Sequence, residues 1–439
     1  MTNNVTPSGE LVLEQLGINP HNLRADFPTR EQRLQYRAVV QWLTDYKPKP
    51  DATNLEKVKG YLEAFYHLCE VEDSQAAGRI LLTRLNTPTK QLLHDQLSTW
   101  GYYREQFFLY QRLINNDDVM LNSICLTGIG MSYHAQGEYI KALEFLEKSL
   151  SIRFSILDVQ GVATTIGYLG LVYNSLGDST TAIQCHQQHL ATAQNLKDRE
   201  GERMALGNLG NAYMSVRNWA KALEYQQKHL ALARELGDRR GEGNALGSLG
   251  TIYNALGYKT TAIKYHQERL AIAKDIQDRP AEMEALNNLG LACEGHGKFA
   301  EAIEYSKQAL SLARELSDRY SEGKILANLG NAYRDLGEYT KAVHYLQKCL
   351  NVKREFQDDY GEGIALKNLG ITYYCQYEYV KAIEFYQSSF RICEKIKVIE
   401  ECERVLIYLG MACCASRDYN KAIDYNQQHL DLVKARKNY

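Results

Sequence analysis

Residues 202–236 read ERMALGNLGNAYMSVRNWAKALEYQQKHLALAREL, and this stretch decides the fold. In its first half, Leu206, Leu209 and Tyr213 recur at i, i+3 and i+7, the spacing of one apolar face of an α-helix. A short break follows at residues 217–218, and a second helical pattern then runs to the end of the stretch. The stretch therefore predicts two amphipathic helices joined by a tight turn.

The same pattern returns every 40 residues, eight times in strict register. A glycine marks the first helix of each unit, at Gly130, Gly170, Gly210, Gly250, Gly290, Gly330, Gly370 and Gly410. An alanine marks the second, at Ala142, Ala182, Ala222, Ala262, Ala302, Ala342, Ala382 and Ala422. One unit cannot bury its apolar face alone, so neighbouring units must stack. We therefore predict an all-α protein, a right-handed solenoid of helix pairs.

Two small features mark the ends of the predicted helices. Glycine stands at the break between the two helices of several units, where a helix stop is expected, at Gly137, Gly177, Gly257, Gly297 and Gly337. Aspartate opens the connection to the next unit, at Asp198, Asp238, Asp278, Asp318 and Asp358. A carboxylate is favourable at a helix N-terminus, so each aspartate predicts the start of the next first helix.

The motif Leu329-Gly330-x-x-Tyr333, followed by Gly337-x-Tyr339-x-x-Ala342, resembles the tetratricopeptide repeat, whose standard unit has 34 residues. Over residues 121–436 the 40-residue units look most like those of Pins-type G-protein-signalling modulators, with kinesin light chains as more distant relatives. The resemblance implies a superhelix that binds other proteins on its concave side. No GoLoco-like segment follows the last unit, so Gα binding is not implied.

The sequence divides into three predicted parts. Residues 1–53 are an N-terminal extension, residues 54–120 form two degenerate helix pairs, and residues 121–439 hold the eight repeats. The middle part is either an atypical capping end or a separate docking module. It also resembles the segment that joins ATPase and repeat sensor in some signal-transduction ATPases, but no GxxxxGK[ST] loop is present.

Composition narrows the classes of function. The 51 basic and 53 acidic residues give a net charge of −2 and interleave along the chain, which argues against nucleic acid as the main partner. No apolar run approaches the length of a membrane span, and the N-terminus lacks a secretory pattern. Ten cysteines without paired spacing indicate reduced thiols, so we expect a cytoplasmic protein without membrane insertion.

The predicted binding face lies opposite the Leu/Tyr core on the first helices, at positions i, i+4, i+7 and i+11. At one of these positions, Asn208, Asn288, Asn328 and Asn368 recur at the repeat period with Ser248 in the gap, and an amide can pair with both the N–H and the C=O of an extended peptide. An alternative is that these asparagines bond to the backbone of the neighbouring repeat. The predicted peptide-binding residues are Asn208, Asn211, Asn244, Asn288, Lys324, Asn328, Asn331, Arg334, Lys367, Asn368 and Arg404.

The cations of that set cluster in repeats six to eight, so we expect a ligand with acidic residues facing them; ordinary solvated surface charge is the alternative. His186, His189 and His229 lie on second helices and are interpreted as packing or surface residues, not metal ligands. Cys402, Cys413 and Cys414 lack metal-ligand spacing. We predict no metal, no cofactor and no catalytic residue.

We therefore expect a non-enzymatic adaptor that binds an extended segment of a partner protein in its concave groove. The alternative is a peptide-responsive sensor that changes conformation to control a third protein, as bacterial quorum-responsive repeat proteins do. Ligand-induced compaction distinguishes the two.

Overall fold

A computed structural model describes residues 5–114 and 116–437. The described residues up to 114 form seven helices, whose lengths vary more than those of the repeats. They are α1 (Gly9–Leu16), α2 (Leu23–Asp26), α3 (Arg30–Thr44), α4 (Asn54–Glu70), α5 (Ser74–Leu81), α6 (Leu93–Thr99) and α7 (Tyr103–Leu113).

Eight regular helix pairs follow. The first helices are α8 (Val119–Ala135), α10 (Val159–Ser175), α12 (Arg199–Ser215), α14 (Arg239–Ala255), α16 (Arg279–Glu294), α18 (Arg319–Asp335), α20 (Asp359–Cys375) and α22 (Ile399–Ala415). The second helices are α9 (Tyr139–Ser155), α11 (Ser179–Leu196), α13 (Trp219–Leu236), α15 (Lys259–Asp275), α17 (Phe299–Glu315), α19 (Tyr339–Glu355), α21 (Tyr379–Lys395) and α23 (Tyr419–Lys437). Consecutive packed helix pairs confirm the predicted α-solenoid of tetratricopeptide type.

The aspartates begin first helices, as the sequence predicts. The Asp198 carboxylate accepts a hydrogen bond from the Gly201 backbone N–H at 3.0 Å, and Asp238, Asp318 and Asp358 cap α14, α18 and α20 in the same way. These side chains satisfy backbone donors that have no partner within the helix. One residue type at a fixed position thus sets where each of these helices starts.

Glycine at the break between paired helices adopts the left-handed backbone conformation, with φ +86° at Gly337. An added side chain there would meet open space, so the backbone angle alone favours glycine. Arg217, Tyr377 and Arg417 hold the same position in three repeats with φ between +55° and +65°. The fold therefore tolerates larger residues at this turn.

The marker glycines of the first helices let the paired helices approach. A Cβ built on Gly210 would lie 2.5 Å from the Gln226 amide nitrogen, and one on Gly370 would lie 2.5 Å from the Tyr386 ring. Such distances are closer than real Cβ contacts, so a larger residue would force the two helices apart. The periodic glycine is thus a packing requirement.

The chain forms two compact units. The first comprises Met1–Leu256 and Glu268–Glu282, and the second comprises Gly257–Gln267 and Met283–Tyr439. In the first unit, one apolar cluster runs from α1 to α8 and includes the fully buried Phe65 and Leu97. The N-terminal helices therefore extend the repeat core within that unit. The predicted boundaries at residues 53 and 120 stay predictions.

Candidate functional site

The predicted binding positions lie on the solvent-facing side of the first helices. On α12, Met204 and Asn208 are half-buried, and Asn211 and Ser215 are exposed. The equivalent four positions are half-buried or exposed on every first helix from α10 to α22. We call this strip the first-helix face and describe it separately in the two compact units.

In the first unit, the asparagines of this face fall into two groups. The Asn211 side-chain oxygen accepts hydrogen bonds from Gln226 at 2.8 Å and from Ser248 of the next repeat at 3.0 Å. Within residues 5–114 and 116–437, the side-chain amides of Asn208 and Asn244 have no hydrogen-bond partner. Asn211 thus links two repeats, whereas Asn208 and Asn244 are available to a ligand.

The second unit shows the same division. The Asn328 side-chain nitrogen donates to the Asn287 side-chain oxygen of the preceding repeat at 2.8 Å. Asn331 accepts a hydrogen bond from Arg334 at 3.0 Å. The half-buried amides of Asn288 and Asn368 have no hydrogen-bond partner in the described part of the chain. The available amides of this unit are therefore those of Asn288 and Asn368.

Two of the predicted cations are engaged by one buried carboxylate. Lys367 Nζ lies 2.6 Å from Glu401 Oε2, with side chains 12% and 8% exposed. Arg404 lies 2.6 Å from the other oxygen of Glu401, although its own side chain is 57% exposed. Because a buried carboxylate needs its cation, Lys367 holds two repeats together instead of facing a ligand.

Arg334 is engaged as well. Its Nε lies 2.8 Å from Asp335, and a second nitrogen donates to Asn331. Burial and the neighbouring Asp335 carboxylate raise the pKa of Glu294 to about 7, and a hydrogen bond joins these two carboxyl groups. The charge of Arg334 is therefore already offset by carboxyl groups of the protein itself.

Lys324 is the remaining cation of the predicted set. Its ammonium lies 4.4 Å from the centroid of the Tyr320 ring, and that of Lys353 lies 4.5 Å from the same centroid. Lys353 is paired with Asp358 at 2.8 Å, whereas Lys324 makes no ion pair among the described residues. Burial and the nearby Lys353 lower the pKa of Lys324. Its charge is thus the one most open to a ligand carboxylate.

Three partners of this face escaped sequence reasoning: Asn287, Tyr320 and Glu401. Tyr320 lies four residues before Lys324 on one helix, a spacing that brings side chains together and could have indicated the contact. Asn287 and Glu401 meet residues of other repeats, 41 and 34 positions away. The spacing of residues within one helix does not indicate such contacts between repeats.

The histidines of the second helices are packing residues. His186 and His189 are 0% and 1% exposed, and His186 faces Gly170. Burial lowers the pKa of His186 and of His229 to about 4. Their imidazoles are therefore neutral at physiological pH. Over the described residues, no group of three or more His, Cys, Asp or Glu side chains is arranged to hold a metal ion.

None of the described helices is both long and apolar enough to span a lipid bilayer.

Comparison with known families gives a direct match. The family model of the tetratricopeptide repeat matches residues 120–195, 201–275, 260–315 and 321–395, which together make up more than half of the chain. No curated protein sequence matches the chain.

Solved structures show the same fold at low sequence identity. A signal transduction ATPase with numerous domains and a tetratricopeptide repeat sensor, from Pyrococcus horikoshii, is similar with a TM-score of 0.57 and 17% identity over 87% of this chain and 56% of that one. The apo form of the quorum sensor NprR from B. thuringiensis is similar with a TM-score of 0.55 and 15% sequence identity, over 87% of this chain and 100% of NprR. A Rap protein complexed with competence and sporulation factor is similar with a TM-score of 0.54 and 14% sequence identity, over 87% of this chain and 98% of the Rap protein.

Proposed function

Because the chain belongs to the tetratricopeptide repeat family, we propose that it is a non-enzymatic adaptor that binds an extended segment of a partner protein along its first-helix face. The observation that carries this proposal is the set of side-chain amides on that face that have no hydrogen-bond partner among the described residues, those of Asn208, Asn244, Asn288 and Asn368. Of the other asparagines of the face, Asn211 and Asn328 bond to neighbouring repeats, and Asn331 bonds to Arg334 of its own helix.

An unpaired amide on a helix face suits a peptide backbone. It offers two donors and one acceptor, so it can bond to a backbone C=O and N–H without selecting a side chain. Each such hydrogen bond contributes about 1 kcal/mol net, so three or four of them account for only part of a micromolar affinity. Contacts with the side chains of the ligand along the same face must supply the rest.

The preference for acidic ligands rests on Lys324 alone. Lys367, Arg334 and Arg404 are all paired with carboxylates of the protein itself, so recruiting them to a ligand would first break an internal ion pair. Lys324 makes no such pair with any residue that the structure describes. We propose that an acidic side chain of the bound segment pairs with Lys324.

The test uses a displayed library of short random peptides selected on the full-length protein. Binding of the enriched peptides is then measured by fluorescence anisotropy against wild type and the triple variant Asn208→Ala, Asn288→Ala, Asn368→Ala. Three hydrogen bonds of about 1 kcal/mol each correspond to a loss of about 100-fold in affinity. Lys324→Glu should weaken acidic peptides selectively.

A matched control carries three asparagine substitutions on exposed second-helix positions, Asn195→Ala, Asn351→Ala and Asn420→Ala. It should bind like wild type, which separates the effect of the face from that of losing three amides. The proposal fails if no peptide is enriched, or if the triple variant and the control bind equally well.

A second candidate function is a peptide-responsive sensor. The likeness to NprR and to the Rap protein extends over 87% of this chain, including N-terminal helices, and nearly all of both relatives. A shared fold supports a shared role only by association. Small-angle scattering with an enriched peptide distinguishes the two functions, because a sensor should become more compact on binding and an adaptor should keep its radius of gyration.

Two finer predictions accompany the adaptor role. The closer resemblance of the repeats to those of Pins-type modulators stays a prediction. Cytoplasmic location is supported by the ten cysteines, all of which carry free thiols, since a reducing compartment maintains that state.

A further inference from the structure

The turns between repeats carry a recurring ion network. At the turn after α13, Glu242 lies 2.8 Å from Arg234 and 2.6 Å from Arg239. The turn after α17 repeats this arrangement, with Glu322 at 2.9 Å from Arg314 and 2.7 Å from Arg319. Both turns thus place a glutamate eight residues after one arginine and three residues after another.

The turn after α9 replaces that network with apolar residues. Phe154, Val159 and Val162 occupy the positions of Arg234, Arg239 and Glu242. Phe154 is 57% exposed and Val159 is 54% exposed. Three positions that hold ion-paired side chains in other turns are apolar here, and two of them, Phe154 and Val159, are exposed to water.

Leu157 lies at the centre of this turn and is 83% exposed. It occupies the position of Gly237 and adopts a left-handed backbone conformation, with φ +56°. That conformation costs an L-residue about 1–2 kcal/mol, and the exposed leucine side chain does not offset this cost by burial. Neither packing nor backbone geometry within the protein explains a leucine here.

The apolar surface continues onto the start of α8. Tyr320 and Phe356, which are 36 residues apart, meet with ring centroids 5.8 Å apart. Met120 and Ile156 hold the positions of Tyr320 and Phe356 in an earlier repeat, and both are exposed, by 44% and 37%. We define the first-turn patch as Val119, Met120, Phe154, Ile156, Leu157 and Val159.

We propose that the first-turn patch is the interface through which two copies of this chain form a twofold-symmetric dimer. Its six half-exposed side chains leave apolar surface on the order of 500 Å², the upper range for a monomer. Two copies together would bury roughly 1,000 Å², the lower limit for a specific interface. The expected dimer is therefore weak, with a dissociation constant in the micromolar range.

The charges that flank the patch suit a second copy. The exposed Asp117 precedes the patch, and the exposed Lys197 follows it one repeat along the same edge. Neither side chain makes an ion pair within residues 5–114 and 116–437. A twofold axis through the patch reverses the direction of the edge, so Asp117 of one copy faces Lys197 of the other. Opposite charges then meet at both ends of the interface.

The test is sedimentation equilibrium of the full-length protein over a concentration series. Wild type should change from monomer to dimer at micromolar concentration. The graft variant Phe154→Arg, Leu157→Gly, Val159→Arg, Val162→Glu installs the residues of the turn after α13. It should keep the wild-type circular dichroism spectrum and weaken dimerisation by at least 100-fold. The single variant Leu157→Lys, which copies Lys197, should weaken dimerisation about tenfold. It tests the patch independently if the graft variant does not fold.

A control substitution, Ile140→Thr, removes another exposed apolar side chain outside the patch, at a position where Thr340 stands in a later repeat. It should leave the dimer unchanged. Asp117→Lys should weaken dimerisation, and adding Lys197→Asp should restore it. The proposal is overturned if wild type stays monomeric throughout the series, in which case the patch serves a different protein, or if the graft dimerises as tightly as wild type. A double charge variant no tighter than the single one would overturn the twofold arrangement.

Discussion

Replacing His186 by leucine should make the first compact unit less sensitive to acid. The His186 side chain is fully buried against Gly170, and neither ring nitrogen has a hydrogen-bond partner in the described part of the chain. Leucine stands at the equivalent position in two other repeats, where Leu146 faces Gly130 and Leu346 faces Gly330. The substitution therefore removes a titrating group and keeps a side chain that this packing site accepts elsewhere.

The magnitude follows from the pKa of His186, which burial lowers from 6.5 to about 4. The unfolded chain binds the proton more tightly, so His186 contributes stability above pH 6.5 that is lost as the pH falls from 6.5 through 4. At about 1.4 kcal/mol per pKa unit, the whole effect is about 3 kcal/mol. Between pH 7 and pH 5 the loss is about 2 kcal/mol.

The assay is urea unfolding at pH 7 and pH 5, followed by tryptophan fluorescence. All three tryptophans, Trp42, Trp100 and Trp219, lie in the first compact unit, so the signal reports that unit. Wild type should lose about 2 kcal/mol more free energy of unfolding than His186→Leu between the two pH values. His21 is exposed, and His21→Leu should behave like wild type. Equal pH dependence in wild type and His186→Leu would refute the reasoning.

Two further substitutions test the packing of the second compact unit. Lys367→Met removes the more buried of the two cations that contact the buried Glu401 and leaves only the mostly exposed Arg404. It should cost about 3 kcal/mol in thermal unfolding followed by circular dichroism, and a cost below about 1 kcal/mol would show that Arg404 alone satisfies the carboxylate. Gly337→Ala should cost about 1 kcal/mol in urea unfolding, because φ is +86° while the space around the new methyl group is open. A neutral result would mean that the turn can relax to another conformation.

The period of the sequence was enough to predict the helices. Tyr213 ends an apolar face on α12, the predicted break at residues 217–218 falls between α12 and α13, and Asp198 caps the start of α12. These features are local, because an apolar face and a cap depend on residues a few positions apart in one segment. Because the same local features recur in register in eight repeats, each repeat supports the helix boundaries predicted for the others.

The fold of the N-terminal part was harder to predict from the sequence. In this part, α3 begins after Thr29, whose side chain completes a capping box with Gln32. How these helices continue the core of the first compact unit depended on contacts such as that of α7 with α8. Degenerate repeats lose the periodic glycine and alanine that would have given their register.

The amino-acid sequence by itself determined the eight helix pairs, their caps and the strip of each first helix that faces solvent, because a period of 3.6 residues fixes which side chains share a face. Only the tertiary structure decided which members of that strip remain available. Asn211 and Asn328 bond to neighbouring repeats, and Lys367 pairs with Glu401, whereas Asn208 and Asn368 have no partner among the described residues. These pairings join residues 34 to 41 positions apart, and they depend on how neighbouring repeats are offset and which rotamers meet.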